Sequence, residues 1–134
     1  MKKSMFQFSN PRIVSFSITA NDDFDESKYN GFQISSEVDH IILKEDTEAV
    51  VVLSLEIGKE TEEYPFYITL KISASFKNND AGNFEKLISI NAPALLLSYA
   101  RPVVSLMTTQ LGYKAFHIPF MNFTEDDITK KDTN

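Results

Sequence analysis

Cysteine is missing from all 134 positions, which removes a disulfide framework, a Cys zinc site and a thiol nucleophile at once. Glycine is scarce, at four residues, and none falls into a phosphate-cradling loop or a G-x-S-x-G nucleophile elbow. His40 and His117 are the only histidines, far apart in sequence and without H-E-x-x-H or other ligand spacing. The segment Asp23-x-Asp25-x-Ser27 starts like a calcium loop, but Lys28 stands where the turn glycine is needed and Ile34 where the bidentate Glu is needed. No metal, no cofactor and no catalytic group is therefore expected, and the chain is read as a non-enzyme.

Basic runs are equally lacking. The net charge of −6 comes from short clusters at Asp22–Glu26, Glu45–Glu48, Glu60–Glu63 and Glu125–Asp127, with no Lys/Arg stretch to balance them. That excludes nucleic acid and anionic membrane as expected partners. The start Met1-Lys2-Lys3 is positive but lacks the apolar core of a signal peptide, and no stretch holds the about 18 apolar residues of a membrane span. A soluble, cytoplasmic protein is the expectation.

What is present is the balance of a globular domain: 43% apolar against 24% charged residues. A chain of this length buries roughly 68% of its unfolded surface, so one core is expected. Val14, Phe16 and Ile18 alternate with serines and predict a half-buried strand. A loop carrying Phe24 and Tyr29 follows. A second strand begins after Gly31, with Phe32, Ile34, Ser36 and Val38 on one side, and its pattern blurs at His40-Ile41-Ile42, the mark of a bulge. From Ala49 to Ile57 and from Tyr64 to Lys77 the alternation is unbroken, and the polar stretch Gly58–Glu63 joins the two as a hairpin. Tyr67, Thr69, Lys71, Ser73, Ser75 and Lys77 form a wet outer face, so one face of the sheet is covered and the other solvated.

The cover is predicted to be a helix led by Asn91 as its cap, with Pro93 in the first turn. At 100° per residue, Ala94, Ser98, Arg101, Ser105, Thr108 and Gly112 share one narrow stripe of mostly small residues. Leu96, Tyr99, Ala100, Val103, Met107 and Leu111 lie opposite and are expected on the sheet. Pro102 bends the helix and frees the Ser98 carbonyl at the stripe. Leu95 and Leu97 on the flanks are too apolar for free exposure, which predicts a helix held between its own sheet and a second subunit. A monomer with the stripe in water is the plainer alternative.

The fold class expected is thus α+β, a four-stranded antiparallel sheet with one long helix on one face. Residues 1–123 form a single domain and residues 124–134 a flexible acidic tail.

The stretch Asn91–Phe123 resembles the SecB family of export chaperones. It carries an asparagine-led helix, the aromatic-x-Arg element Tyr99-Ala100-Arg101, small and aliphatic residues from Ser105 to Leu111, and Pro119-Phe120-Met121-Asn122-Phe123. The order strand, aromatic-bearing crossover, strand, hairpin, helix agrees as well, over residues 6 to 123. The resemblance implies an ATP-independent holdase for protein export that keeps unfolded clients in hydrophobic grooves and assembles as a dimer or tetramer. Carried over, Phe24, Tyr29, Phe32 and Ile34 are the groove residues, and Ser98, Arg101, Ser105 and Thr108 the oligomer interface. The same aromatics would also serve as a satellite core under a loop.

Two departures accompany the likeness. The family continues into a second amphipathic helix where this chain has Thr124–Asn134, with one apolar residue, Ile128. Its contact with the motor ATPase SecA uses an acidic sheet face, whereas the outer residues from Tyr67 to Lys77 are neutral or Lys, which speaks against that contact. A protector of one antitoxin, or a structural or adaptor protein that kept the fold and lost the groove, are the alternatives.

Overall fold

A computed structural model describes residues 6–78, 81–121 and 123. Strands β1 (Phe6–Phe8), β2 (Arg12–Ala20), β3 (Ile34–Lys44), β4 (Glu48–Ile57) and β5 (Phe66–Asn78) form one antiparallel sheet. β5 and β4 are central and β3 is one edge, while β1 and β2 share the other edge along β5. The expected four-stranded layout therefore holds, with the first strand broken in two. The break falls at Ser9–Pro11, where proline cannot donate to a ladder. Ser9 stays attached to β5 by its N–H to the Ser75 carbonyl at 3.0 Å and by its Oγ, which accepts from the Ser75 N–H. The irregularity expected near Ile42 is a register shift between Ile42 and Lys44, and β2 has another between Ile13 and Ser15.

Register explains the core. Leu53 lies opposite Ile72, Leu55 opposite Leu70 and Ile57 opposite Ile68, so the alternating apolar positions of β4 and β5 stack on one face. Each is essentially free of solvent. The opposite face carries Tyr67, Thr69, Lys71, Ser73, Ser75 and Lys77 on β5, each half-buried or exposed.

A helical stretch from Phe84 to Gln110 covers the apolar face. It starts earlier than expected, as a single turn α1 (Phe84–Lys86), passes through a π segment at Leu87–Asn91 and continues as α2 (Ala92–Gln110). Asn91 is consequently no cap: it has helical dihedrals and no capping hydrogen bond. The π segment has a cause in the sequence. Pro93 has no N–H for the Ser89 carbonyl and its ring crowds that turn, and a wider turn, closed by the Ala92 N–H on the Leu87 carbonyl, gives the ring room. By length and by a mean hydropathy of 1.3 over an 18-residue window this stretch would pass as a membrane span, and 44% of that window is buried in the fold.

The helix face also differs from expectation. Leu96 and Ala100 are buried as predicted, but so are Ala92, Pro93, Leu97, Val104 and Thr108, a series dominated by every fourth residue. Tyr99 and Leu111, placed on the sheet by the 100° rule, are 43% and 50% exposed. Apolar residues occur all round this helix, so periodicity alone gives little contrast between its faces. Leu111 is outside the helix altogether, because Gly112 takes up the left-handed backbone (φ +92°) that ends it.

Candidate functional site

The crossover from β2 to β3 is tied down at its base before it presents any aromatic ring. Asn21 does most of this: its N–H donates to the Pro65 carbonyl at 3.0 Å, and its Nδ2 donates to the carbonyls of Lys59 and Tyr64 at 2.9 and 2.8 Å. Further on, the Asp25 N–H donates to the Glu62 carbonyl at 2.8 Å, and Lys28 forms an ion pair with Glu62. Asp25 caps the 3-10 turn Glu26–Lys28 by accepting from the Ser27 hydroxyl at 2.7 Å and from its N–H at 3.0 Å. These bonds to Ser27, with Lys28 close by, hold the Asp25 carboxyl below its usual pKa. The hydrogen bond to Glu62 and its charge raise that of Lys28. The crossover is thus pinned to the β4–β5 hairpin by polar groups at the surface, which leaves its aromatic side chains free to turn inward.

The rings form a continuous path. Phe24 meets Tyr29 edge-on at 6.1 Å, and Tyr29 meets Phe32 at 5.6 Å. Phe32 is the hub: it stacks on Phe66 at 4.8 Å, tilts against Tyr64 at 5.9 Å and receives Phe116 edge-on at 4.9 Å. Tyr113 closes on Phe66 at 4.7 Å. Offset and edge-to-face pairs of this kind add about 0.5–1.5 kcal/mol each beyond burial. Exposure along the path is uneven: Tyr64 and Phe66 are buried, Phe32 and the far ring Phe24 half-buried, and Tyr29 between those two exposed. Ile34 is half-buried on the same side, paired with Ile57 and packed against the core.

The structure therefore brings together the four residues expected to line a groove, at an edge of the sheet where apolar surface meets water. It also adds residues that sequence reading missed: Tyr64, Phe66, Tyr113, Phe116 and Ile118. The signal for the last two was present, since Phe116 and Ile118 alternate with exposed Ala115, His117 and Pro119 as in an extended segment with one side covered.

The four residues expected at an oligomer interface separate. Ser98 is exposed, its hydroxyl donating to the Ala94 carbonyl. Arg101 is exposed too, with its Nε–H given to the Ile118 carbonyl at 2.9 Å. Ser105 is half-buried, its Oγ 3.5 Å from His117 Nδ1. Thr108 does not reach the outer surface: it is 0% exposed, bonds the Val104 and Ser105 carbonyls, and accepts the Phe116 N–H at 2.9 Å. The reason is non-local. The chain after Gly112 folds back over the last turns of α2 and covers that position.

Residues 12–126 match the family of the preprotein translocase subunit SecB. The chain belongs to the SecB family. No curated protein matches this SecB-family chain in sequence. In fold it is similar to the Mycobacterium tuberculosis SecB-like chaperone Rv1957, solved in complex with a ChAD peptide from the Rv1956 HigA1 antitoxin. The TM-score is 0.63 at 14% identity, covering 87% of this chain and 90% of that one. It is also similar to a Streptococcus agalactiae protein of unknown function, with a TM-score of 0.53 at 16% identity, over 86% and 97% of the two chains. Residues 124–134, where the resemblance led to the expectation of an acidic tail in place of a second helix, lie outside the described residues.

Proposed function

We propose that this SecB-family chaperone is an ATP-independent holdase of the cytoplasm that binds extended apolar and aromatic stretches of unfolded polypeptides along the Phe24–Tyr29–Phe32 path. The observation that carries it is the exposed ring in that path: Tyr29, open to water, packs on Phe32, which is stacked on the buried Phe66, and this offers edge and face contacts to incoming side chains without fixing their identity. The exposed acidic residues Asp22, Asp23, Glu60 and Glu63, on the crossover and the hairpin that flank the path, favour clients with basic residues beside the apolar ones. The mechanism requires no bond chemistry, only occupancy of surface that would otherwise drive aggregation.

At a near-equimolar ratio the protein is expected to suppress light scattering from a chemically denatured test protein diluted into buffer. Scattering unchanged from the buffer control would remove the holdase in favour of an adaptor that kept only the fold. A second reading, a chaperone dedicated to one antitoxin, has its support in the fold likeness to Rv1957, which was solved with an antitoxin peptide. A gene neighbour encoding a toxin pair, together with selective protection of its antitoxin, would favour it. Docking to SecA is not part of the proposal: the outward row of β5 is neutral or Lys, and the acidic residues of that face, Glu37, Asp39, Glu48 and Glu56, belong to β3 and β4.

Self-association as a dimer or tetramer is also proposed, through the outer side of α2. Tyr99 and Leu106, at 43% and 58% exposed, stand there with Ser98, Arg101 and Pro102, more apolar surface than a helix facing water usually carries. Leu106→Glu is expected to lower the solution mass to a smaller unit, measured by light scattering coupled to size exclusion. Stability of the smaller unit should change by no more than about 0.5 kcal/mol, since the site is at the surface of the single chain. An unchanged mass would exclude this face as the contact.

A further inference from the structure

The segment after α2 has the form of a bound client. From Ala115 to Ile118 it has no regular secondary structure and its burial alternates, with Ala115 and His117 exposed and Phe116 and Ile118 turned in, and Pro119 and Phe120 beyond it again in solvent. Ile118 is 0% exposed and Phe116 packs its edge on Phe32, the hub of the aromatic path. Yet among the described residues no backbone hydrogen bond joins residues 114–121 to any strand. The segment is held by the Phe116 N–H on Thr108 Oγ1 and by Arg101 Nε–H on the Ile118 carbonyl, besides the Tyr113 N–H on the Thr108 carbonyl at its root. Inserted apolar side chains, a backbone outside any strand ladder and a few polar pins are what an unfolded polypeptide would offer the same aromatic surface.

We infer that residues 113–121 are a releasable strap, an internal competitor that covers part of the aromatic path until a client displaces it. This inference rests on the holdase reading. Phe116 packs its edge on Phe32, and Tyr29, which also packs on Phe32, is exposed on its outer side, so a client can dock at Tyr29 and then take over the Phe116 position with an aromatic or aliphatic side chain of its own. The β4–β5 core, tied by its complete ladder, stays in place while the strap leaves. The exchange makes affinity depend on the difference between client and strap, which sets a threshold: short or weakly apolar segments fail to displace it.

The absence of cysteine makes a two-armed test clean. In the first arm, Ile118→Cys and Val51→Cys are labelled separately with a thiol reagent in the native protein. Both positions are fully buried, but only the first is on the strap. Labelling at position 118 is expected to be at least tenfold faster, and faster still with saturating reduced, carboxymethylated α-lactalbumin, an unfolded chain without free thiols. Equal rates at the two positions would mean that the strap leaves only on global unfolding and would overturn the proposal.

In the second arm, Ser105→Cys/His117→Cys joins neighbouring side chains of α2 and the strap. The oxidised form is expected to bind the same unfolded chain at least tenfold more weakly than the form reduced with dithiothreitol, in one preparation with itself as control. Equal affinities would overturn the competition. If the reduced and wild-type proteins bind no unfolded chain at all, the holdase reading falls, and the competition with it. Fast labelling at position 118 would then still support a strap that opens by itself.

Discussion

Phe32→Ala is expected to lower stability by about 2–3 kcal/mol and to weaken binding of an unfolded client at least tenfold. The stability figure starts from the about 3–5 kcal/mol that a fully buried Phe→Ala costs, reduced because this ring is only half-buried. What remains large is the loss of shared neighbours: Tyr29, Tyr64, Phe66 and Phe116 all pack on the ring, and the space left behind cannot close without moving β5 or the strap. A fall in melting temperature on the order of 10 °C follows for a domain of this size. Tyr29→Ala separates the two readouts. Tyr29 is exposed and contacts only the outer part of the path, so its loss should cost less than about 1 kcal/mol and yet weaken client binding. If both variants bind as the wild type does, these rings are a satellite core and not a binding surface. If Phe32→Ala melts within a degree or two of wild type, the hub is not a packing unit at all.

The sheet was legible because its side-chain period is strict. Val51, Leu53, Leu55 and Ile57 against Ile68, Leu70, Ile72 and Ala74 leave one register that buries both sets, and the structure has it. The aromatic cluster was legible in part, since Phe24, Tyr29 and Phe32 sit in and beside one loop. Three things were not. The helix start was obscured because Asn91 and Pro93 have the form of a cap and first turn, while a π segment lets the helix run through both. The covered face was obscured because Leu95, Leu96 and Leu97 are consecutive and supply no period. Thr108 was misplaced because its cover comes from Phe116, eight residues on and beyond the end of the helix, a contact no helical wheel contains. Local pattern decides which residues can be inside, and chain return decides which of them are.

The second large effect is expected at Gly58, where backbone conformation and packing act together. Its φ of +74° is in the left-handed region, which costs a residue with a Cβ roughly 1–2 kcal/mol. A Cβ built there would also lie 2.6 Å from the Phe66 carbonyl oxygen and 3.4 Å from Cδ1 of Phe32. The first neighbour is backbone at the start of β5, opposite Ala20 of β2, and cannot swing aside as a side-chain tip does. Gly58→Ala should therefore cost about 2–4 kcal/mol, the excess over the conformational part being overpacking. Gly112→Ala is the matched control, with φ of +92° and nothing within 4 Å of the added Cβ. It should lose only the conformational part, about 1 kcal/mol. Urea midpoints of the two variants, read with unchanged m-values, isolate the clash as a difference of about 2 kcal/mol. The functional consequence follows from the geometry. Gly58 also donates its N–H to the Gln33 carbonyl at 2.9 Å, so a shift here moves the residue next to Phe32 as well as Phe66, and the stacked pair opens. Client affinity should fall in Gly58→Ala and stay at the wild-type value in Gly112→Ala. Equal midpoints for the two would mean that β5 yields freely at Phe66, and the rigid base on which the aromatic path depends would be lost with that result.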